Sequence, residues 1–160
     1  MSREVEYSDG NAKLRGLMTL PAGPPRAAVL VFHEGPGLGT HVKRRIEMLA
    51  ELGYAAFAAD FFGNGSPTLA EIDEVRARMT PWLQDRAVLR RRAVAALEAF
   101  ARQSVALRRT TLAIGYCFGG TVALELARAG APLLGVVSFH GGLKTTMPAA
   151  PGSVKARVLS

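Results

Sequence analysis

The sequence has 160 residues, 49% hydrophobic and 21% charged, with a formal net charge of +7. That is one domain's length of ordinary soluble composition, enough to bury roughly 68–70% of the surface an unfolded chain exposes. No apolar run nears the roughly 20 residues that span a bilayer, the polar start MSREVEYSDG is no secretory signal, and a single cysteine excludes internal disulfides and a CxxC pair.

The expectation is a cytoplasmic protein without membrane contact. The excess positive charge lies largely in Lys43–Arg45 and Arg86–Arg92. Both runs sit on helical patterns and read as solvated faces, and no nucleic-acid-binding motif accompanies them.

In chain order, REVEYSDG and AKLRGLMTLP read as short strands joined by a turn at Asp9–Gly10, and PAGPP as a loop. RAAVLVFHEG is a continuous apolar run, as a strand buried on both faces requires. In the next segment Val42, Ile46, Leu49 and Ala50 recur at helical spacing, and Gly53 closes the helix. YAAFAADFF starts another strand, and GNGSPTLAEIDEVRARMT is polar and partly helical. Pro81 suits a first helical turn, so a long helix is predicted from there to about Ala101. Its buried stripe is Trp82, Leu89, Ala93, Ala96, Leu97 and Phe100. TTLAIGYC then reads as a strand, FGGTVALELARAG as a helix and PLLGVVSFHGG as a strand.

This alternation predicts an α/β fold, a mostly parallel sheet with helices on both faces and right-handed crossovers. Ligands of such sheets meet the carboxyl ends of the strands. HEGPG, CFGG and FHGG fall at those ends.

Gly115-Tyr116-Cys117-Phe118-Gly119-Gly120 fits the G-x-nucleophile-x-G elbow, with cysteine in the place of serine. The nucleophile sits on a strained strand-to-helix turn, and glycines two residues either side avoid collisions with it. The following helix aims its free N–H groups and positive dipole end at the sulfur, which favours thiolate. Other uses of this segment fit less well. A buried structural cysteine leaves the flanking glycines unexplained. A dinucleotide loop wants glycine at 117, and a P-loop wants Gly-Lys-Ser/Thr.

The elbow GYCFGG, the upstream FHEGPGLGTHVKRRIEMLAELGYAAFAADFFG and the later VVSFHGGL together resemble the dienelactone hydrolase (carboxymethylenebutenolidase) family of the α/β-hydrolase superfamily. The resemblance covers nearly the whole chain. It implies hydrolysis of a lactone or small ester through a thioester on Cys117, without a metal or organic cofactor. It casts Glu34 as the carboxylate that holds the resting thiol and moves when substrate binds, and the N–H groups of Phe118 and Gly35 as the oxyanion hole. His33 reads as a hydrogen-bonded strand-end residue, and Asp60 as a structural aspartate fastening a loop. Arg76 and Arg78 lie where the family carries a carboxylate-binding arginine, with solvated helix arginines as the competing reading.

In the family an aspartate and then a histidine follow the strand after SFHGG. Here no aspartate follows Asp85, and His140 is the only histidine after the elbow. The expectation is a single α/β-hydrolase domain over residues 1–160 that lacks its C-terminal strands and triad partners and is weak or inactive by itself. LLGVVSFH would then form an exposed apolar edge, open to homo-oligomer pairing. Two readings stand beside hydrolysis: a non-catalytic binding module of the same fold, and a redox-responsive thiol protein.

Overall fold

The computed structural model describes residues 2–103 and 111–160. Seven strands form one sheet: β1 (Ser2–Asp9), β2 (Ala12–Thr19), β3 (Ala28–Phe32), β4 (Ala55–Ala59), β5 (Thr111–Tyr116), β6 (Gly135–Phe139) and β7 (Arg157–Leu159). Their order is β1-β2-β4-β3-β5-β6-β7. The β1–β2 and β2–β4 pairs are antiparallel, and the pairs from β4 to β7 are parallel. Among the described residues the four helices are α1 (Thr40–Glu51), α2 (Ile72–Gln84), α3 (Arg86–Ala101) and α4 (Phe118–Arg128).

Every residue of β3 and β4 is buried, which is why those strands read as unbroken apolar runs. Strand alternation sends Val29 and Val31, with Ala56 and Ala58, to the face covered by Val42 and Ile46 of α1. Leu30, Phe32 and Phe57 point to the opposite face, where Leu89, Ala93 and Phe100 of α3 and Val122 and Leu126 of α4 close the core. Each large apolar side chain buried there contributes roughly 1.5–3 kcal/mol. Register aligns the strand ends: Phe32 lies beside Gly115, and Gly115 beside Ser138. Residues 33–34, 116–117 and 139–140 therefore gather at one end of the sheet.

Three expectations change. The helix predicted from Pro81 is two helices. Pro81 lies inside α2, which continues one more turn to Gln84, and the break falls at Asp85. The Asp85 carboxylate accepts the Val88 N–H at 3.0 Å, so a side-chain cap outweighs the proline as the start signal.

The expected edge LLGVVSFH is partly covered. Gly135, Val136 and Val137 pair in parallel with Arg157, Val158 and Leu159. The sheet margin on that side is thus the three-residue β7, with Val158 and Leu159 exposed.

The basic run Arg86–Arg92 is not a solvated face. Arg86 and Arg92 are buried, and three arginines of the run reach buried carboxylates. Arg91 and Arg92 hold Asp9 at 2.7 and 2.8 Å, and Arg90 holds Glu125 at 2.8 Å, joined by Arg128 at 2.9 Å. Burial pushes the Asp9 carboxyl upward, but the hydrogen bonds from Arg91 and Arg92 outweigh it and leave its pKa below the usual range. A helix that must cover a sheet carrying Asp9 and pack on a helix carrying Glu125 needs cations on its inner side. No helix among the described residues is long and apolar enough to cross a membrane.

Candidate active site

Cys117 links β5 to α4 with φ 52° and ψ −114°, a left-handed conformation that costs roughly 1–3 kcal/mol in a residue with a side chain. Two backbone hydrogen bonds hold it: its N–H donates to Phe139 at 2.9 Å, and its carbonyl accepts from Thr121 at 3.2 Å. The flanking glycines permit this bend. A Cβ at position 115 would lie 1.9 Å from the Gly119 carbonyl oxygen, and one at 119 would lie 2.2 Å from that of Phe32. The first turn of α4 therefore presses directly on the end of β3. This brings the Phe118 N–H towards the segment that starts at Glu34.

The Cys117 side chain is exposed and faces a cavity of about 590 Å³. Its walls come from Met79 and Leu83 of α2, Arg86 of α3, Phe118 and Thr121 of α4, and His140 to Lys144 after β6, residue 141 apart. The Phe118 ring packs on Phe61 and Phe62, at centroid distances of 5.3 and 5.1 Å, so an aromatic cluster fixes this first residue of α4. Neither Phe118 nor Gly35 has a backbone acceptor for its N–H among the described residues, as the open end of a helix and an oxyanion hole both require. Val75 and Met79 close over Gly35 from α2.

Glu34 makes a different contact from the one the resemblance implies. Its Oε1 lies 2.6 Å from His41 Nδ1, while the polar contacts of Cys117 among the described residues are those of its backbone. The His41 Nε2 accepts from Arg45 Nε at 3.1 Å, so the ring donates at Nδ1 and accepts at Nε2. The same ring meets Tyr116 edge-on at 5.2 Å. Burial pushes the Tyr116 hydroxyl pKa up, Arg45 opposes that shift and Glu34 adds to it. The Glu34–His41 pair thus sits against the residue next to Cys117. His41 escaped the sequence reading because it lies seven residues beyond Glu34, across a glycine-rich loop whose path the spacing does not fix.

His33 is fully buried. Its Nδ1–H donates to the Glu34 carbonyl at 2.7 Å, which leaves Nε2 to accept from the Phe61 N–H at 3.3 Å. Burial is the main reason its pKa falls to about 4. With the folded value below the unfolded one near 6.5, its contribution is full above pH 6.5 and is lost as pH falls through 4. The difference corresponds to roughly 3 kcal/mol. Urea unfolding is expected to show wild type losing about that much between pH 7 and 4 relative to His33→Gln; equal slopes would contradict it.

The two arginines of α2 are occupied elsewhere. Arg78 donates to the carbonyls of Gly35, at 2.8 Å, and of Pro67, at 2.6 Å, and also contacts that of Pro36; its guanidinium lies 4.4 Å from the Phe62 ring centroid. It fastens the loop that carries Gly35. Arg76 is exposed and faces Asp73. His140 lines the cavity with φ 46°, and no carboxylate orients its ring among the described residues. No group of three or more His, Cys, Asp or Glu among the described residues is placed to hold a metal ion.

Comparison with known proteins agrees with this architecture. The structure superposes with a TM-score of 0.91 on a dienelactone hydrolase-like promiscuous phosphotriesterase from metagenomic libraries, 40% identical, over 99% of this chain and 66% of that one. Two proteins named "Putative carboxymethylenebutenolidase" are similar in sequence. That of Aquifex aeolicus is 32% identical over 79% of this chain and 55% of its own length. That of Saccharolobus solfataricus is 26% identical over 88% of this chain and 66% of its own length. The chain therefore spans less than two thirds of the curated relatives it matches. Residues 14–159 match the model of the dienelactone hydrolase family, and with the sheet order and elbow described above, the chain belongs to that family.

Proposed function

We propose that the protein hydrolyses a lactone or small ester with Cys117 as the nucleophile. The observation that carries this reading is the conformation of Cys117: an exposed thiol held at positive φ, at the start of α4 and in the wall of a cavity. Strain of this kind persists where the surrounding structure enforces it, and such sites cluster at reactive positions.

In the reaction the Cys117 thiolate attacks the ester carbonyl, and the N–H groups of Phe118 and Gly35 stabilise the oxyanion. The S–C bond forms, the C–O bond breaks, and the alcohol leaves with the proton that the thiol gave up. Water then cleaves the thioester, releasing the acid and restoring the thiol. Glu34 acts as the restraint on the thiol. A carboxylate near sulfur opposes thiolate formation, and in this reading the 2.6 Å contact with His41 offers that carboxylate a partner other than the thiol. The proton of the thiol needs a histidine base oriented by an acid; His41 is oriented by Glu34, but its Nε2 accepts from Arg45 and not from the thiol.

Incubation with p-nitrophenyl acetate followed by peptide mass spectrometry tests the proposal. One acetyl group is expected on the peptide containing Cys117, removed by hydroxylamine, because a thioester forms faster than it is cleared. An unlabelled Cys117 under conditions in which p-nitrophenol is released by the protein would refute nucleophilic catalysis at this residue.

A further inference from the structure

We propose that His41, fixed by Arg45, is a positioning residue that keeps the Glu34 carboxylate off the Cys117 thiol, so that the reactivity of the nucleophile is set from α1. This rests on Cys117 as the nucleophile and Glu34 as its restraint, and adds what controls the restraint.

Glu34 leaves the end of β3 on the Cys117 side, because register sets Phe32 against Gly115. Its carboxylate nevertheless engages α1, with Oε1 2.6 Å from His41 Nδ1. The intervening loop is pinned. The Gly37 N–H donates to the Glu34 carbonyl at 3.1 Å and the Leu38 N–H to the Ser66 carbonyl at 2.9 Å, while Arg78 holds the Gly35 carbonyl at 2.8 Å. These bonds return the second residue of α1 to Glu34. Arg45, one turn further on, donates its Nε–H to His41 Nε2 at 3.1 Å. A guanidinium offers donors only, so Nε2 is the bare nitrogen and Nδ1 carries the proton that Glu34 receives. Tyr116 meets the ring edge-on at 5.2 Å and limits its rotation.

The other charged and titratable groups around the pair are engaged elsewhere. Arg44 faces Glu47 and Glu51, and Arg78 serves loop carbonyls. His33 gives its Nδ1–H to the Glu34 main-chain carbonyl, not to the carboxylate. Arg45 lies against the His41 ring, with its guanidinium 5.9 Å from the Tyr116 ring centroid. Burial, opposed by Arg45, raises the Tyr116 hydroxyl pKa, and Glu34 adds to the rise. The carboxylate charge is therefore felt at the residue before Cys117 even while His41 holds it. Once the His41 N–H is removed, the exposed thiol becomes the donor to which that carboxylate turns. A carboxylate on a thiol opposes its ionisation, and the thiolate is the reactive form.

Cys117 is the only cysteine, so alkylation by iodoacetamide, a neutral reagent, reads this thiol alone and needs no turnover. His41→Phe keeps an aromatic ring against Tyr116 and deletes the donor. Its alkylation rate at pH 7 is expected to fall about tenfold, with the rate profile displaced to higher pH. His41→Asn, whose amide N–H can stand where Nδ1–H stood, is expected to recover part of that loss. Arg45→Met leaves ring and carboxylate in place but frees the tautomer, and is expected to lose about threefold. Adding Glu34→Gln to His41→Phe is expected to restore the rate, because the carboxylate that opposes ionisation is gone. An unchanged profile in folded His41→Phe overturns the proposal, as does a loss that Glu34→Gln fails to reverse. Should His41→Phe not fold, equal profiles for wild type and Arg45→Met overturn it instead. Acetylation of Cys117 by p-nitrophenyl acetate with no effect of His41 on alkylation refutes this inference alone; the alkylation effects without acetylation refute the nucleophile.

Discussion

Cys117→Ala is expected to lower kcat/KM for small activated esters by about 10⁴-fold or more. Alanine keeps the elbow backbone and removes only sulfur, so the loss should fall on kcat and leave KM nearly unchanged. The residual rate is that of the oxyanion donors and of binding, which survive removal of a nucleophile in enzymes of this logic. Cys117→Ser separates the thiol from its position. A serine at the same positive φ keeps the geometry, but its hydroxyl ionises far less readily than a thiol, so a base must take its proton during attack. Serine is expected to fall between the two, with slower acylation and an ester that hydroxylamine clears more slowly than a thioester. Equal rates for wild type and Cys117→Ala would exclude Cys117 as the nucleophile.

Most of the fold was legible because burial leaves a mark on composition. β3 and β4 are covered on both faces, so AVLVF and AAFAA carry no polar residue. α1 shows its inner face as Val42 and Ile46. The hairpin was marked by Asp9–Gly10, with Gly10 at φ 58°. What failed was the reading of charge. Arg86 and Arg92 occupy helix positions whose inner neighbours, Asp9 and the loop at Lys144, lie 83 and 58 residues away in sequence. Local periodicity cannot tell a buried paired arginine from a solvated one, because it contains nothing about the partner. The start of α3 failed for a smaller reason. Proline and aspartate are both start signals, and the capping carboxylate prevailed over the ring.

The site divides along the same line. The elbow could be read from glycine spacing because its geometry is local: the contacts that exclude a side chain at position 115 come from residues four and five along the chain. Glu34 could be singled out only by resemblance, and its partner His41 not at all, since that contact depends on the path of the loop at residues 35–39. Arg86 as a cavity residue was equally hidden. Its bond to the Lys144 carbonyl joins residues 58 apart, a property of three-dimensional packing that no sequence pattern encodes.

The second large effect concerns Asp60, and it ties the stability of the fold to the shape of the site. This fully buried carboxylate accepts four hydrogen bonds. Oδ1 receives the Gly63 N–H at 2.8 Å and the Ser66 hydroxyl at 2.5 Å, and Oδ2 receives the N–H groups of Arg15 and Gly65, each at 2.8 Å. Asp60→Ala leaves all four donors without an acceptor. Each buried orphan costs about 1–3 kcal/mol, and water reaches the partly buried ones, so the expected total is about 3–5 kcal/mol. For a chain of this size that lowers Tm by on the order of 10 °C. Asp60→Asn should recover only part of the loss, because its NH₂ group must face donors where a carboxylate oxygen stood. The damage should also reach the site before the protein unfolds. The Ser66 carbonyl accepts the Leu38 N–H at 2.9 Å, and the Gly37 N–H closes back on the Glu34 carbonyl at 3.1 Å. Freeing residues 63–66 therefore loosens the loop that carries Glu34 and Gly35. At a temperature where Asp60→Asn remains folded, Cys117 acylation is expected to slow by several-fold. A variant within about 1 kcal/mol of wild type in urea unfolding would show that these hydrogen bonds are replaced by water at no cost, and that the loop does not depend on them.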